Sequence, residues 1–265
     1  MAMVIMRINQ KQSGEDFFRH KTIFFMLSFL RKNKKVDQPP ILTDIHSHFL
    51  PGIDDGAKNW DDTLHLILDF KKKGFTRIIT TPHIMRDTYP NTPEIIISKL
   101  KELNQKLVEK GIDIKVEAAA EYYLDESLYN SILKKEPLLT LGNHYLLFET
   151  NFLSEPFILK DFIFQATTQG YKLVLAHPER YGYMNLEKAE DLRNRGVLLQ
   201  LNSISISGFY SRPIQKMAFE LIDKGWVDFL GSDCHNTIQA NALEESMNHK
   251  YYRKALELPL LNNML

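Results

Sequence analysis

The sequence predicts a parallel α/β fold in which seven strand–helix units close as a (β/α)7 barrel instead of spreading as an open sheet. Three observations predict it. Short apolar runs alternate with helical patterns along residues 41–265, and glycines recur a few residues before each new run. Histidines and carboxylates fall at one phase of the repeat, the C-terminal strand ends, where the loops of a parallel barrel assemble a site.

Residues 1–40 stand apart as a basic extension. They end in Arg31-Lys32-Asn33-Lys34-Lys35 and pass through Asp37-Gln38-Pro39-Pro40, a linker into one domain over 41–265. The apolar island Ile23 to Leu30 is too short to span a bilayer, and no small-residue cleavage site accompanies it. A short packing helix or an unstructured lead-in is the plain reading; weak contact with a membrane surface is the other. Met26 is an alternative start.

Strands are expected at 41–46, 76–81, 113–120, 144–149, 172–177, 197–202 and 226–231. Each leads into a helix of the kind that Asp61 to Lys73 illustrates. Leu64, Ile67, Leu68 and Phe70 form its apolar stripe, Lys71 to Lys73 suit the C-terminal dipole, and Gly74 stops it. Gly111, Gly170, Gly196 and Gly225 repeat the stop.

Composition narrows the function classes. Lys plus Arg and Asp plus Glu both number 33, so no overall field attracts nucleic acid. A single cysteine, Cys234, excludes an internal disulfide framework and suits a reducing, cytoplasmic location.

The chemistry is concentrated at the strand ends. The first strand finishes in Asp44-x-His46-x-His48, followed by Pro51-Gly52 and Asp54-Asp55-Gly56. Alternation along a strand puts Asp44, His46 and His48 on one face. Alone, that pattern is either a metal site or a strand ending in two solvated histidines. The later strands end in His83, Glu121, Glu149, His177 and Ser232-Asp233-Cys234-His235, with only Asn202 lacking a strong ligand. Independent surface histidines would not collect at one phase, so a multinuclear site is expected. Imidazole and carboxylate suit manganese, iron or zinc equally.

Taken in order, D-x-H-x-H, D-D-G, T-P-H, Glu121, Glu149, H-P-E-R and S-D-x-H resemble the polymerase and histidinol phosphatase (PHP) family of metal-dependent phosphoesterases. PGIDDGAKNWDDTLHLI, TTPHI and LAHPERY are similar to its bacterial protein-tyrosine phosphatase branch, linked to capsule and exopolysaccharide kinases. The resemblance covers 41 to about 240 and implies a distorted, TIM-like seven-stranded barrel with three divalent ions, usually manganese. It implies His46, His48, Glu121 and Asp233 around one ion. Glu121 would bridge to a second held with Glu149 and His177, and Asp55, His83 and His235 would hold the third. Asp44 would orient an imidazole, and Asp54 would either do the same or replace Asp55.

The implied reaction is hydrolysis of phosphotyrosine on a bacterial tyrosine kinase or related protein, with hydroxide generated by the ions as the attacking group. Arg180 would grip the phosphate, its plainer role being an ion pair with Glu179 or Glu187. Asp55 or a ligand histidine would serve as acid where one is needed. Relatives often carry an arginine soon after S-D-x-H, which is missing here; Arg212 or Arg86 could supply that contact, or neither. Cys234 lacks the arginine six residues on that a cysteine phosphatase needs, Ala240 standing there, and is read as a packed thiol. Tyr122, Tyr123 and Tyr181 could stack on a substrate ring or pack the rim. A histidinol-phosphate-type phosphatase, an amidohydrolase and a non-catalytic metal-stabilised module are the competing readings, and short βα loops favour the open mouth that a protein substrate needs.

Overall fold

The structure, a computed structural model, describes residues 41–265. The basic extension, its apolar island and the membrane-contact reading lie outside the described residues. Nine short strands appear: β1 (Thr43–Asp44), β2 (Arg77–Thr80), β3 (His83–Ile84), β4 (Lys115–Ala118), β5 (Glu121–Tyr123), β6 (Tyr145–Glu149), β7 (Lys172–Ala176), β8 (Leu198–Asn202) and β9 (Phe229–Gly231). Two expected strands are each broken in two. The second breaks at Pro82, which has no N–H for the ladder, and β2 gives way there to β3. The third divides around Ala119 and Ala120 into β4 and β5.

Every strand pairing is parallel. One sheet has the order β1-β2-β4 and the other β3-β5-β6-β7-β8-β9. Beyond the ends of β1 and β9, Ser47 bridges Cys234, with Asp233 N donating to His46 O at 2.7 Å and His48 N to Cys234 O at 3.0 Å. The helices are α1 (Trp60–Lys72), α2 (Pro93–Glu109), α3 (Glu126–Lys134), α4 (Leu159–Thr168), α5 (Leu186–Asn194), α6 (Arg212–Lys224), α7 (Thr237–Asn248) and α8 (Lys250–Ala255).

The strands are buried on both faces, and period-two alternation sorts their side chains into two cores. Leu146, Phe148, Leu173 and Leu175 join the large cluster beneath the helices. Ile45, Ile79, Ala119, Leu147, Val174, Ala176 and Phe229 form a second cluster. Two residues further along, that second row reaches Glu121 from Ala119 and Glu149 from Leu147; four further, His83 from Ile79 and Asp233 from Phe229. The row that fills the interior therefore ends in the polar site. In α1, Asn59 caps the first turn and Thr63, Leu64, Leu66, Ile67 and Phe70 are buried. Leu68, expected in the stripe, is 40% exposed, because the buried arc runs through 63, 66, 67 and 70.

The chain's last residues pin β1 to β9. The fully buried amide of Asn262 accepts from Leu230 N at 3.0 Å and donates to Thr43 O at 3.1 Å and to Leu230 O at 2.6 Å. Asn262→Ala leaves buried backbone groups unsatisfied, and chemical denaturation should show a loss of about 2–3 kcal/mol. An unchanged denaturation midpoint would show that the pin is dispensable.

Candidate metal centre

Glu121, fully buried, is the point of convergence. Its Oε1 lies 3.0 Å from His177 Nε2. Its Oε2 lies 3.2 Å from His46 Nε2, 3.4 Å from His48 Nε2 and 3.1 Å from His83 Nδ1. Asp233 Oδ1 is 3.4 Å from His46 Nε2 and 3.5 Å from His48 Nε2. Glu149 Oε1 is 3.2 Å from His83 Nδ1, and Asp55 Oδ1 is 3.3 Å from His235 Nε2.

Three overlapping groups each bring their donor atoms within 4.8 Å of one another: His46, His48, Glu121 and Asp233; His48, Asp55, His83 and His235; His83, Glu121 and Glu149. The first has the composition expected from the sequence. The second gains His48, whose ring stacks on His235 at 3.9 Å. In the third, His83 stands where His177 was expected; His177 Nε2 is 3.8 Å from Glu149 Oε2 and closer to Glu121.

These donors fit divalent cations. Glu121 Oε2 and His83 Nδ1 are buried without a hydrogen-bond partner, and the Nε2 atoms of His46 and His48 face each other at 3.4 Å. Without a cation, protons must hold the cluster together. Burial opposes charge on His46, but Glu121 and Asp233 outweigh it and raise its pKa to about 9. Burial likewise pushes the Glu121 carboxyl up, and the imidazoles of His46 and His83 overcome it, holding the group well below the usual range.

The imidazoles are aimed from behind. His46 Nδ1 is 2.8 Å from Gln200 Oε1, His48 Nδ1 is 2.8 Å from Asp54 Oδ2, and His235 Nδ1 is 2.8 Å from Asp233 O. Each contact puts the proton on Nδ1 and turns the Nε2 lone pair into the cluster. Of the two tasks the sequence left open for Asp54, this is orientation. Asp44 does not share it: its carboxylate accepts from Ser232 N and Ser232 Oγ at 2.9 and 3.0 Å, because only two residues of the first strand stay regular and alternation lapses before His46. Gln200 escaped the sequence reading; its inward position on β8, two residues before Asn202, was the available signal. Two glycines make room for the site: a Cβ on Gly56 would lie 2.0 Å from His48 O, and one on Gly231 would lie 2.6 Å from His46 Cβ.

Arg180 ends the short turn Pro178–Arg180 and pairs through Nη1 with Asp233 Oδ2, not with Glu179 or Glu187. Glu179 is buried and taken by Asn202 N and Ser205 Oγ. The Arg180 guanidinium lies 5.0 Å from the Phe152 ring centre and 4.3 Å from that of Tyr210, two aromatic neighbours the sequence did not single out. Phe152 also stacks on His177 at 5.7 Å. Arg212 is exposed in the first turn of α6, with no hydrogen bond or ion pair to these residues, and its position is set by the helix it starts. Tyr122 and Tyr181 are core residues whose hydroxyls are taken by Leu139 N and by Thr150 N and Ala176 O. Cys234 is fully buried, and burial raises its thiol well above the ordinary value, as a packed thiol requires. Burial raises the Asp55 carboxyl, but the His235 hydrogen bond outweighs this and lowers it to about 2, which keeps it the anion that a cation can take.

A family model, capsular polysaccharide synthesis CpsB/CapC, matches residues 42–257. The chain belongs to the CpsB/CapC family. CapC of Staphylococcus aureus is 29% identical over 230 residues, covering 84% of this chain and 90% of that one. The tyrosine-protein phosphatase YwqE of Bacillus subtilis is 28% identical over 206 residues, 76% of this chain and 80% of its own. Among solved structures, one from the work on YwqE of Bacillus subtilis and CpsB of Streptococcus pneumoniae, described as metal-dependent tyrosine phosphatases, superposes with a TM-score of 0.76 at 26% identity. It covers 84% of this chain and 93% of that one.

In this CpsB/CapC chain, His48→Ala removes a donor shared by two groups, and elemental analysis should find metal lost. Gln200→Ala and Asp54→Ala keep every donor, so metal affinity should fall by roughly 10- to 100-fold instead. Equal metal content in all three would contradict this ranking. Because His46 carries its proton up to about pH 9 in the metal-free protein, a cation must displace protons to bind. Affinity should weaken as pH falls and strengthen as it rises towards that value; calorimetry in buffers of differing ionisation enthalpy should register the released protons, and a pH-independent affinity would exclude the competition.

Proposed function

We propose that the chain is a metal-dependent protein-tyrosine phosphatase that removes phosphate from a tyrosine-phosphorylated protein, a bacterial tyrosine kinase in capsule or exopolysaccharide synthesis being the expected partner. The carrying observation is the convergence of imidazole and carboxylate groups around Glu121 with the Arg180 guanidinium beside them. The family membership and the named activity of YwqE support the same reading.

Three divalent ions would be held by His46, His48, Glu121 and Asp233, by His83, Glu121 and Glu149 with His177 alongside, and by His48, Asp55, His83 and His235. Manganese is the expected metal, with iron and zinc as alternatives for the same donors. Such ions, when bound, neutralise a phosphate dianion and lower the pKa of a water at the site. The finer architecture proposed is a distorted (β/α)7 barrel with 1–40 as a separate extension. The parallel pairings and the Ser47–Cys234 bridge support the barrel. No helix among the described residues is long and apolar enough to cross a membrane; the proposed location is cytoplasmic, in keeping with the single, buried and free thiol of Cys234.

The chain's own residues supply orientation and grip. Arg180 spends Nη1 on Asp233, and its remaining N–H groups take the non-bridging phosphate oxygens in a planar fork. Phe152 and Tyr210 hold the guanidinium between them, and Asn202 Nδ2 fixes both Tyr210 Oη at 3.0 Å and Asp233 Oδ2 at 2.8 Å. Asp54 and Gln200 keep the imidazole lone pairs directed inward. A tyrosinate leaving group, with a pKa near ~10, departs with little help from an acid. Asp55, 51% exposed, marks an accessible mouth suited to a protein-borne phosphate.

Purified protein should hydrolyse a phosphotyrosine peptide in preference to a phosphoserine peptide and to histidinol phosphate, with activity lost to a chelator and restored by manganese. Preference for histidinol phosphate would move the assignment to a small-molecule phosphatase. Arg180→Ala should retain metal while losing roughly 100-fold or more in kcat/KM; full activity in that variant would remove Arg180 from the site.

A further inference from the structure

We propose that the cleft next to the metal centre is a substrate subsite that takes a large apolar side chain lying beside an acidic residue, within a few positions of the phosphotyrosine. It rests on the phosphatase reading above and adds the sequence context that the enzyme prefers.

The cleft and the centre are built on the same two strand ends. Ile84 follows His83, and Tyr122 and Tyr123 follow Glu121; all three line the cleft. The register pairs His83 with Glu121 and Ile84 with Tyr122, so alternation sends the first pair into the centre and the second to the other side of the rim. Asn91, also in the lining, donates its Nδ2 to His83 O at 2.8 Å and ties the cleft wall to a candidate ligand. An extended peptide rises about 3.3 Å per residue, so a side chain a few positions from a phosphotyrosine in the centre reaches over this rim.

The lining specifies the occupant. Tyr122 and Leu128 are nearly buried and give an apolar wall, and the Tyr122 hydroxyl is already engaged by Leu139 N at 2.8 Å. The volume, about 210 Å³, is below the roughly 300–1,000 Å³ of small-molecule sites and suits one side chain. At the lip, Arg86 is exposed and has no ion pair or hydrogen bond among the described residues. The carboxylate in the lining, Asp125, is engaged within the chain: its Oδ1 accepts from Leu128 N at 2.9 Å as the cap of α3. Arg86 is thus the charged lining residue without a partner among the described residues, and it complements a peptide carboxylate next to the apolar anchor.

The test compares three substrates on the manganese-loaded full chain: a phosphotyrosine peptide flanked by leucine and glutamate, the same peptide with alanine and lysine there, and p-nitrophenyl phosphate. Wild type should favour the first peptide over the second by roughly tenfold in KM. Ser127→Trp, which fills the cleft from α3, should erase that preference. Arg86→Glu, at an exposed position that folding does not depend on, should shift it towards the lysine peptide. Both variants should keep metal content, and Ser127→Trp, remote from any phosphate contact, should also keep p-nitrophenyl phosphate turnover. Turnover of p-nitrophenyl phosphate with no peptide preference in wild type, or an equal loss on all three substrates in both variants, overturns the subsite and leaves the phosphatase reading standing. Failure of the loaded protein to hydrolyse any of the three sinks both.

Discussion

A carboxylate with no access to water sits at the centre of this fold, and the surrounding structure is what makes that tolerable. Glu121 is fully buried, with His46, His48, His83 and His177 all within 3.4 Å of its oxygens. An unpaired buried carboxylate costs several kcal/mol even after relaxation, and removing its partners would leave that cost uncompensated. Protons on the imidazoles compensate it in the metal-free state, and divalent cations at the candidate groups would do so in a loaded one. The two would compete for the same lone pairs, which would couple folding, metal uptake and pH through one group.

Parallel strands are what bring the partners together. All the strands enter the site in the same direction, so residues far apart in sequence meet at one rim, and the inward row that is apolar through Val174, Leu147 and Ala119 becomes ionisable at its last positions. Two site residues leave regular geometry to reach it: His177 at φ 34° and Asp233 at φ 50° are non-glycine residues in the left-handed region. Each such residue costs on the order of 1–3 kcal/mol, a cost that persists only where surrounding contacts fix the backbone. Here those contacts include Asp233 N to His46 O and Arg180 N to His177 O.

Arg180 links this centre to the outside. It pairs with a candidate ligand carboxylate on one side and lies against Phe152 and Tyr210 on the other. Aromatic faces order a guanidinium without taking its N–H edge, so the N–H groups not spent on Asp233 stay free. Asn202 organises the same corner, donating to Tyr210 Oη and to Asp233 Oδ2.

The sequence by itself determined the order of strands and helices, the helix stops, and which residues stand at the strand ends. Those features come from local periodicity and from backbone conformations that glycine adopts most easily, as at Gly74 and Gly225, both at positive φ. It also held the imidazoles and carboxylates that the structure brings together, because they stand at the ends of the strands. Tertiary structure alone decided how the donors are shared, placing His48 in two groups and His83 where His177 was expected. It likewise gave the orienting task to Asp54 and Gln200 in place of Asp44, and left Arg212 outside. The reason is physical: alternation and spacing fix the side of a strand from which a side chain leaves, whereas the atom it finally meets depends on strand breaks such as Pro82, left-handed turns such as His177, and neighbours that the chain brings in from more than a hundred residues away.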